Sequence, residues 1–181
     1  MDPFDDSRAF TVFLLRFVAV FALFCAALPG PVAAQDLAGR AQALQADQLI
    51  VNGARISLFG IDAPDPDQDR QCTLGTQNFG CYSNARRQLQ ILLDEGPVAC
   101  IDSGKRNYVN FPYMTCTIAG KDIGEAMVRT GNALAFLPQS NKYADAEKAA
   151  KADKVGIWQT GIRFKIPWEW RNENDRPIFG P

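Results

Sequence analysis

Ile56-Ser57-Leu58-Phe59-Gly60-Ile61-Asp62-Ala63-Pro64-Asp65 decides how this chain is read. Its first half is a strand. Ile56 and Leu58, with Phe59 and Ile61 around Gly60, supply apolar side chains to both faces, which suits a closed barrel covered on its outside by helices. Gly60 lets the strand bend without a Cβ clash. Pro64 ends the pairing and pushes Ala63 out of the helical region. Asp62 and Asp65 then stand three residues apart on a rigid corner beside an apolar core. Carboxylates held that way can bind a hard cation or act as a base. The plain alternative is a solvated acidic turn, since Asp67 and Asp69 follow closely.

Upstream, Asn52-Gly53 is a hairpin signal between strand-like runs punctuated by Leu44, Leu49 and Val51. Downstream, Asn84 to Glu95 reads as an amphipathic helix with Ala85, Leu89, Ile91 and Leu92 on its apolar side. Arg86 and Arg87 lie on its polar side. Val98–Ile101 and Tyr113–Ile118 read as strands. Asp122 to Gly131 reads as a second helix, with Asp122 and Glu125 spaced as a capping box and Gly131 as its stop. Ala133–Phe136 is a short strand. Tyr143 to Lys154 is a third helix, with Glu147 and Lys151 spaced to pair. These elements predict an α+β domain.

The N-terminal segment reads as a targeting signal. Phe10 to Leu28 is apolar apart from Arg16, Pro29-Gly30-Pro31 breaks any helix, and Val32-Ala33-Ala34 supplies small residues before Gln35. An uncleaved anchor is the alternative. Residues 1–34 are thus expected to be a leader, 35–171 one domain and 172–181 a tail, with no membrane span after residue 34. The whole chain has 19 Lys+Arg and 20 Asp+Glu. Leaving out Arg8 and Arg16, and Asp2, Asp5 and Asp6, the remainder carries 17 of each sign and no net charge. Proteins that bind nucleic acid through its phosphates are usually basic, so tight binding of that kind is not expected.

The quoted stretch resembles the motif I-R-L-x-G-I-D-A-P-E of the staphylococcal nuclease family. Further likenesses are Asp122–Gly131, the Gly156-Ile157-Trp158 that follows Lys154-Val155, and Pro167-Trp168-Glu169-Trp170-Arg171, which is similar to the P-x-x-W-R tail of that family's secreted, disulfide-bearing branch. The resemblance implies a five-stranded barrel of the oligonucleotide-binding type with three packed helices. It also implies calcium-dependent phosphodiester hydrolysis, with a glutamate base and two arginines that stabilise the developing charge. Asp47, Asp62 and the Ala63 carbonyl fall at the calcium-ligand positions. Asp65 falls at the base position, one methylene shorter than glutamate. Ser57 and Phe111 fall where the arginines belong. Arg55, on the same strand face as Ser57, is a candidate substitute, with Lys105 and Arg106 nearby. Losing one such donor typically slows the reaction by about 10²–10³.

After the leader, four cysteines remain, which allow three pairings. Cys72–Cys81 and Cys100–Cys116 are expected as disulfides, formed in the periplasm or outside the cell. A zinc site is the rival, though the chain has no histidine and no Cys-x-x-Cys. The resemblance extends to exported nuclease-like proteins of bacterial exopolysaccharide gene clusters. It implies service in polysaccharide synthesis, with polysaccharide or envelope biosynthesis proteins as partners, rather than enzymatic cleavage. Tyr108, Phe111, Tyr113, Trp168 and Trp170 are the aromatics available to stack on sugar rings. A weak calcium-dependent nuclease and a purely structural protein remain as alternatives.

Overall fold

The computed structural model describes residues 36–174. The segment expected to be a leader and most of the expected tail lie outside the described residues. Strands β1 (Leu37–Gly39), β2 (Ala41–Ala43), β3 (Gln48–Val51), β4 (Ala54–Leu58), β8 (Val98–Arg106) and β9 (Pro112–Ile118) pair in the order β1-β8-β9-β4-β3-β2, and β10 (Lys121–Asp122) adds to β9. The sheet therefore has seven strands rather than five, and among the described residues its hydrogen bonds do not close it. Its two end strands, β1 and β2, are consecutive in the chain and separated only by Arg40. The β3–β4 turn is the expected Asn52-Gly53, both residues at positive φ, 49° and 83°. That conformation matches the twist of the flanking strands.

Helix α1 (Cys81–Asp94) starts three residues earlier than expected, directly after the left-handed Gly80. Its buried face is Cys81, Ala85, Leu89 and Leu93. Ile91, counted in the apolar stripe, is 52% exposed, because a repeat of four carries the stripe to Leu93 instead. Arg86 donates to the carbonyls of Ala43 and Leu44, so it ties the helix to β2. Helix α2 (Ile123–Arg129) is capped by Asp122, whose Oδ1 accepts from the Glu125 N–H at 3.1 Å. Helix α3 (Ala144–Ala152) carries the expected Glu147–Lys151 pair, and Glu147 Oε2 also accepts from the Ala135 N–H at 2.7 Å. The core fills the space between sheet and helices with Leu49, Val51, Ile56, Leu58, Leu89, Met114, Met127 and Val128, all fully or almost fully buried.

Two features that the sequence reading lacked position the site. The first is a small sheet, β12 (Ile162–Arg163), β6 (Thr73–Leu74) and β7 (Gln77–Asn78), over a second apolar cluster. In that cluster Cys72, Cys81, Leu134 and Ile157 are buried, with Phe79, Trp158, Phe164, Ile166 and Trp168 packed against them. The second is a fourth helix, α4 (Pro167–Glu173). Pro167 sits in its first turn, where the missing N–H costs nothing. Trp170 is buried, and Trp168 tilts against Phe136 with centroids 5.4 Å apart. Trp170 and Arg171 lie three and four residues after Pro167, so all three share the inward face.

Both expected disulfides are present. Cys72–Cys81 closes the loop into α1, and Cys100–Cys116 joins directly opposed residues of β8 and β9. Two disulfides point to an oxidising compartment outside the cytoplasm. No helix among the described residues is long and apolar enough to cross a membrane.

Candidate functional site

The quoted corner forms as its residues dictate. β4 ends at Leu58, Gly60 turns with φ +77°, and β5 (Ile61–Asp62) pairs with β11 (Leu134–Ala135). A Cβ on Gly60 would sit 3.0 Å from the Tyr143 ring, so the turn is also a close approach. The Gly60 N–H donates to Gln139 Oε1 at 2.5 Å, and its carbonyl accepts from the Phe136 N–H at 2.9 Å. Beyond Pro64 a 3-10 turn (Pro66–Gln71) begins. The buried Gln68 side chain accepts from the Asp65 N–H at 2.8 Å and donates to the Lys165 carbonyl at 3.3 Å. One side chain thus fixes both Asp65 and the segment leading into α4.

A pocket of about 170 Å³ opens at this corner. Asp47, Asp62, Asp65 and Ser57 all line it, so four of the sequence candidates come together. Gln45, Gln48, Asn107, Tyr108, Tyr113, Phe136 and Arg171 are also in the wall. Arg55 and Phe111 are not; the Arg55 guanidinium lies 5.9 Å from the Phe111 ring centre. Arg106 is bonded to Asp102 through both nitrogens at 2.9 Å, and the Lys105 ammonium lies over Phe59. At the Ser57 position the pocket wall is a neutral pair: Asn107 Nδ2 donates to Ser57 Oγ at 3.1 Å. Asn107 Oδ1 accepts from the N–H groups of Val109 and Phe111, which shapes the loop. Of the aromatics considered for stacking, Tyr108 and Tyr113 reach the pocket, while Phe111, Trp168 and Trp170 do not line it.

Arg171 is the residue that the sequence reading missed as part of the site. Its Nη1 donates to Asp65 Oδ2 at 2.6 Å, and its Nη2 donates to Asp62 Oδ2. The three side chains are only 12%, 18% and 5% exposed. The available signal was the P-x-x-W-R tail, in which the arginine follows a tryptophan that packs into the core. Ala63, considered for its carbonyl, turns its N–H towards the carboxylates of Asp47 and Asp62.

Burial and the neighbouring Asp62 carboxylate raise the Asp47 carboxyl well above the usual range, to about 7. Burial also raises Asp62, and Arg171 offsets only part of that rise. Burial works against the Arg171 charge, but Asp62, Asp65 and Asp47 more than compensate and hold it firmly protonated. Tyr113 is pushed up to about 12 by burial and by Asp47 and Asp62. A carboxyl whose pKa is raised on folding binds protons more tightly folded than unfolded, so its contribution to stability falls as pH rises. Denaturation at pH 4.5 to 7.5 is therefore expected to show stability declining across that window, from about the unfolded value near 4 to about 7. Asp47→Asn flattens the decline. A profile that Asp47→Asn leaves unchanged would show that Asp47 is ordinarily solvated.

A mixed sheet with helices packed on it, and an acidic pocket at a Gly-Ile-Asp-Ala-Pro corner, is the frame of a nuclease fold. The chain belongs to the staphylococcal nuclease homologue family, whose model matches residues 55–160. It is also 28% identical over 130 residues, 70% of this chain and 67% of the relative, to the succinoglycan biosynthesis protein ExoI of Rhizobium meliloti (strain 1021).

Proposed function

We propose that this chain is an exported nuclease-fold protein that serves exopolysaccharide synthesis in the periplasm or outside the cell and does not hydrolyse nucleic acid. The oligonucleotide-binding barrel that the family resemblance implies is a frame that also accepts oligosaccharides. The observation that carries the reading is Arg171. The guanidinium in the pocket is already bonded to Asp62 and Asp65, so it does not face a phosphate. Three carboxylates against one spent cation leave the wall with net negative charge, which repels a phosphodiester.

A calcium ion would reverse that sign, so its fit matters. Arg171 stands on Asp62 and Asp65, and among the described residues no three acidic, histidine or cysteine side chains are grouped to hold a metal. Calcium needs six or more oxygen ligands around it. The arrangement does not suit it, and no step is derived through it. Ser57 with Asn107, and Phe111, place no positive charge in the wall where a developing phosphorane charge would need it. The link to polysaccharide synthesis rests on the relative's role in succinoglycan biosynthesis.

Convergence of Asp47, Asp62 and Asp65 on one pocket favours the competing reading, a calcium-dependent phosphodiesterase. Cleavage of DNA and RNA by the purified, oxidised protein separates the two. No cleavage is expected with calcium or with chelator. Calcium-dependent cleavage abolished by Asp62→Ala would establish the competing reading.

A further inference from the structure

We propose that the pocket is a subsite for one neutral sugar ring of an oligosaccharide. This deepens the polysaccharide reading above and rests on it. The first observation is Tyr113. It is 91% buried by its 9% exposure, it lines the pocket, and its hydroxyl makes no hydrogen bond among the described residues. A phenol fixed in an otherwise packed wall, with its one polar atom open to the cavity, is complementary to a ligand hydroxyl.

The second is the rest of the wall. The Gln45 and Gln48 side chains line the same space and make no hydrogen bond among the described residues. Each amide offers both donors and an acceptor. Asp47, in the same wall, adds acceptors. Tyr108 adds aromatic surface, standing 51% exposed at the lip. A pyranose has this same division, an apolar C–H face and a rim of hydroxyls that donate and accept. The cavity of about 170 Å³ far exceeds the roughly 10–15 Å³ that one water needs, so it has room for more than a single solvent molecule.

Charge selects among ligands. Anions are repelled by Asp47, Asp62 and Asp65, since the single guanidinium is tied to two of them. An ammonium would find acceptors but would leave the donors of Gln45, Gln48 and Tyr113 unused. A polyol uses both kinds of group. Arg171 thereby becomes a positioning residue: it fixes Asp62 and Asp65 in the wall and keeps them from a cation.

The test is an amide chemical-shift titration of the folded, oxidised protein with neutral tetrasaccharides built on glucose, galactose or mannose. Thymidylyl-thymidine and putrescine serve as anionic and cationic probes. At least one tetrasaccharide is expected to shift amides around residues 45–48 and 107–113 saturably at millimolar concentration. Tyr113→Phe, which keeps the ring packing, is expected to weaken that binding about fivefold, the value of one hydrogen bond. Saccharide binding elsewhere, or binding indifferent to Tyr113→Phe and Gln48→Ala, would overturn the subsite while leaving the polysaccharide reading standing. No saccharide response, or a stronger response to putrescine in the pocket, would also overturn the subsite. Saturable dinucleotide binding there, together with calcium-dependent cleavage, would overturn both.

Discussion

Arg171→Ala is expected to destabilise the protein by about 3–5 kcal/mol, the usual loss when one partner of a buried ion pair is removed. The whole stability of a domain this size is only about 5–15 kcal/mol. The reason lies in what remains. Asp62 and Asp65 stay at the corner, 5% and 18% exposed, with their shared guanidinium gone. Asp62 cannot turn to water, because β5 is pinned to β11 and Gly60 is pinned to Gln139. Arg171→Lys is expected to fall between, since an ammonium is a point charge and cannot bridge two carboxylates as a planar fork does. Adding Asp62→Asn and Asp65→Asn to Arg171→Ala should recover part of the loss. Urea denaturation followed by tryptophan fluorescence reads all four variants. A loss under about 1 kcal/mol for Arg171→Ala would place the contact with exposed surface pairs and remove it from the site.

Gly156→Ala is expected to cost about 2–5 kcal/mol. Gly156 and Gly131 meet backbone to backbone. A Cβ on Gly156 would lie 2.1 Å from the Gly131 carbonyl oxygen, and one on Gly131 would lie 2.3 Å from the Val155 carbonyl oxygen. Both residues have left-handed φ, +56° and +67°. The left-handed conformation alone costs a residue with a Cβ about 1–2 kcal/mol, and an overpacked contact adds about 1–3 kcal/mol. The contact matters because Ile157 N–H donates to the Gly131 carbonyl at 2.9 Å, which seats Ile157 in the cluster beneath α4. Gly53→Ala is the control: φ is +83°, but nothing lies within 4 Å of the added Cβ. Thermal denaturation should show a clearly smaller loss at Gly53. Equal losses at the two positions would mean that the backbone contact is looser than described.

The corner was legible because its causes are local. Gly60, Pro64 and the alternation around them need only neighbours in sequence, and the same holds for the Asn52-Gly53 turn and the Asp122 cap. Cys100 and Cys116 could be paired because the strands carrying them are adjacent. Asp47, Asp62 and Asp65 were gathered by the family motif, and the pocket gathers them too. What stayed hidden is long-range. Arg171 reaches Asp65 and Asp62 across 106 and 109 residues. Helix α4 has seven residues, too few to hold as an isolated helix, so its existence depends on Trp170 and Trp168 packing onto the domain. The small β12-β6-β7 sheet is made of three two-residue strands, below the length at which alternation can be read. Asn107 behaves similarly: a loop asparagine in sequence, it is 5% exposed and bonded to Ser57 fifty residues away.

The central claim is that a guanidinium, not a divalent cation, is the partner of Asp62 and Asp65 at the acidic corner. Calorimetric titration of calcium into the folded, oxidised protein at neutral pH tests it most directly. The account predicts no saturable binding to the wild type, and no change in its melting temperature at millimolar calcium. A saturable calcium site that raises the melting temperature and disappears in Asp62→Asn would contradict it.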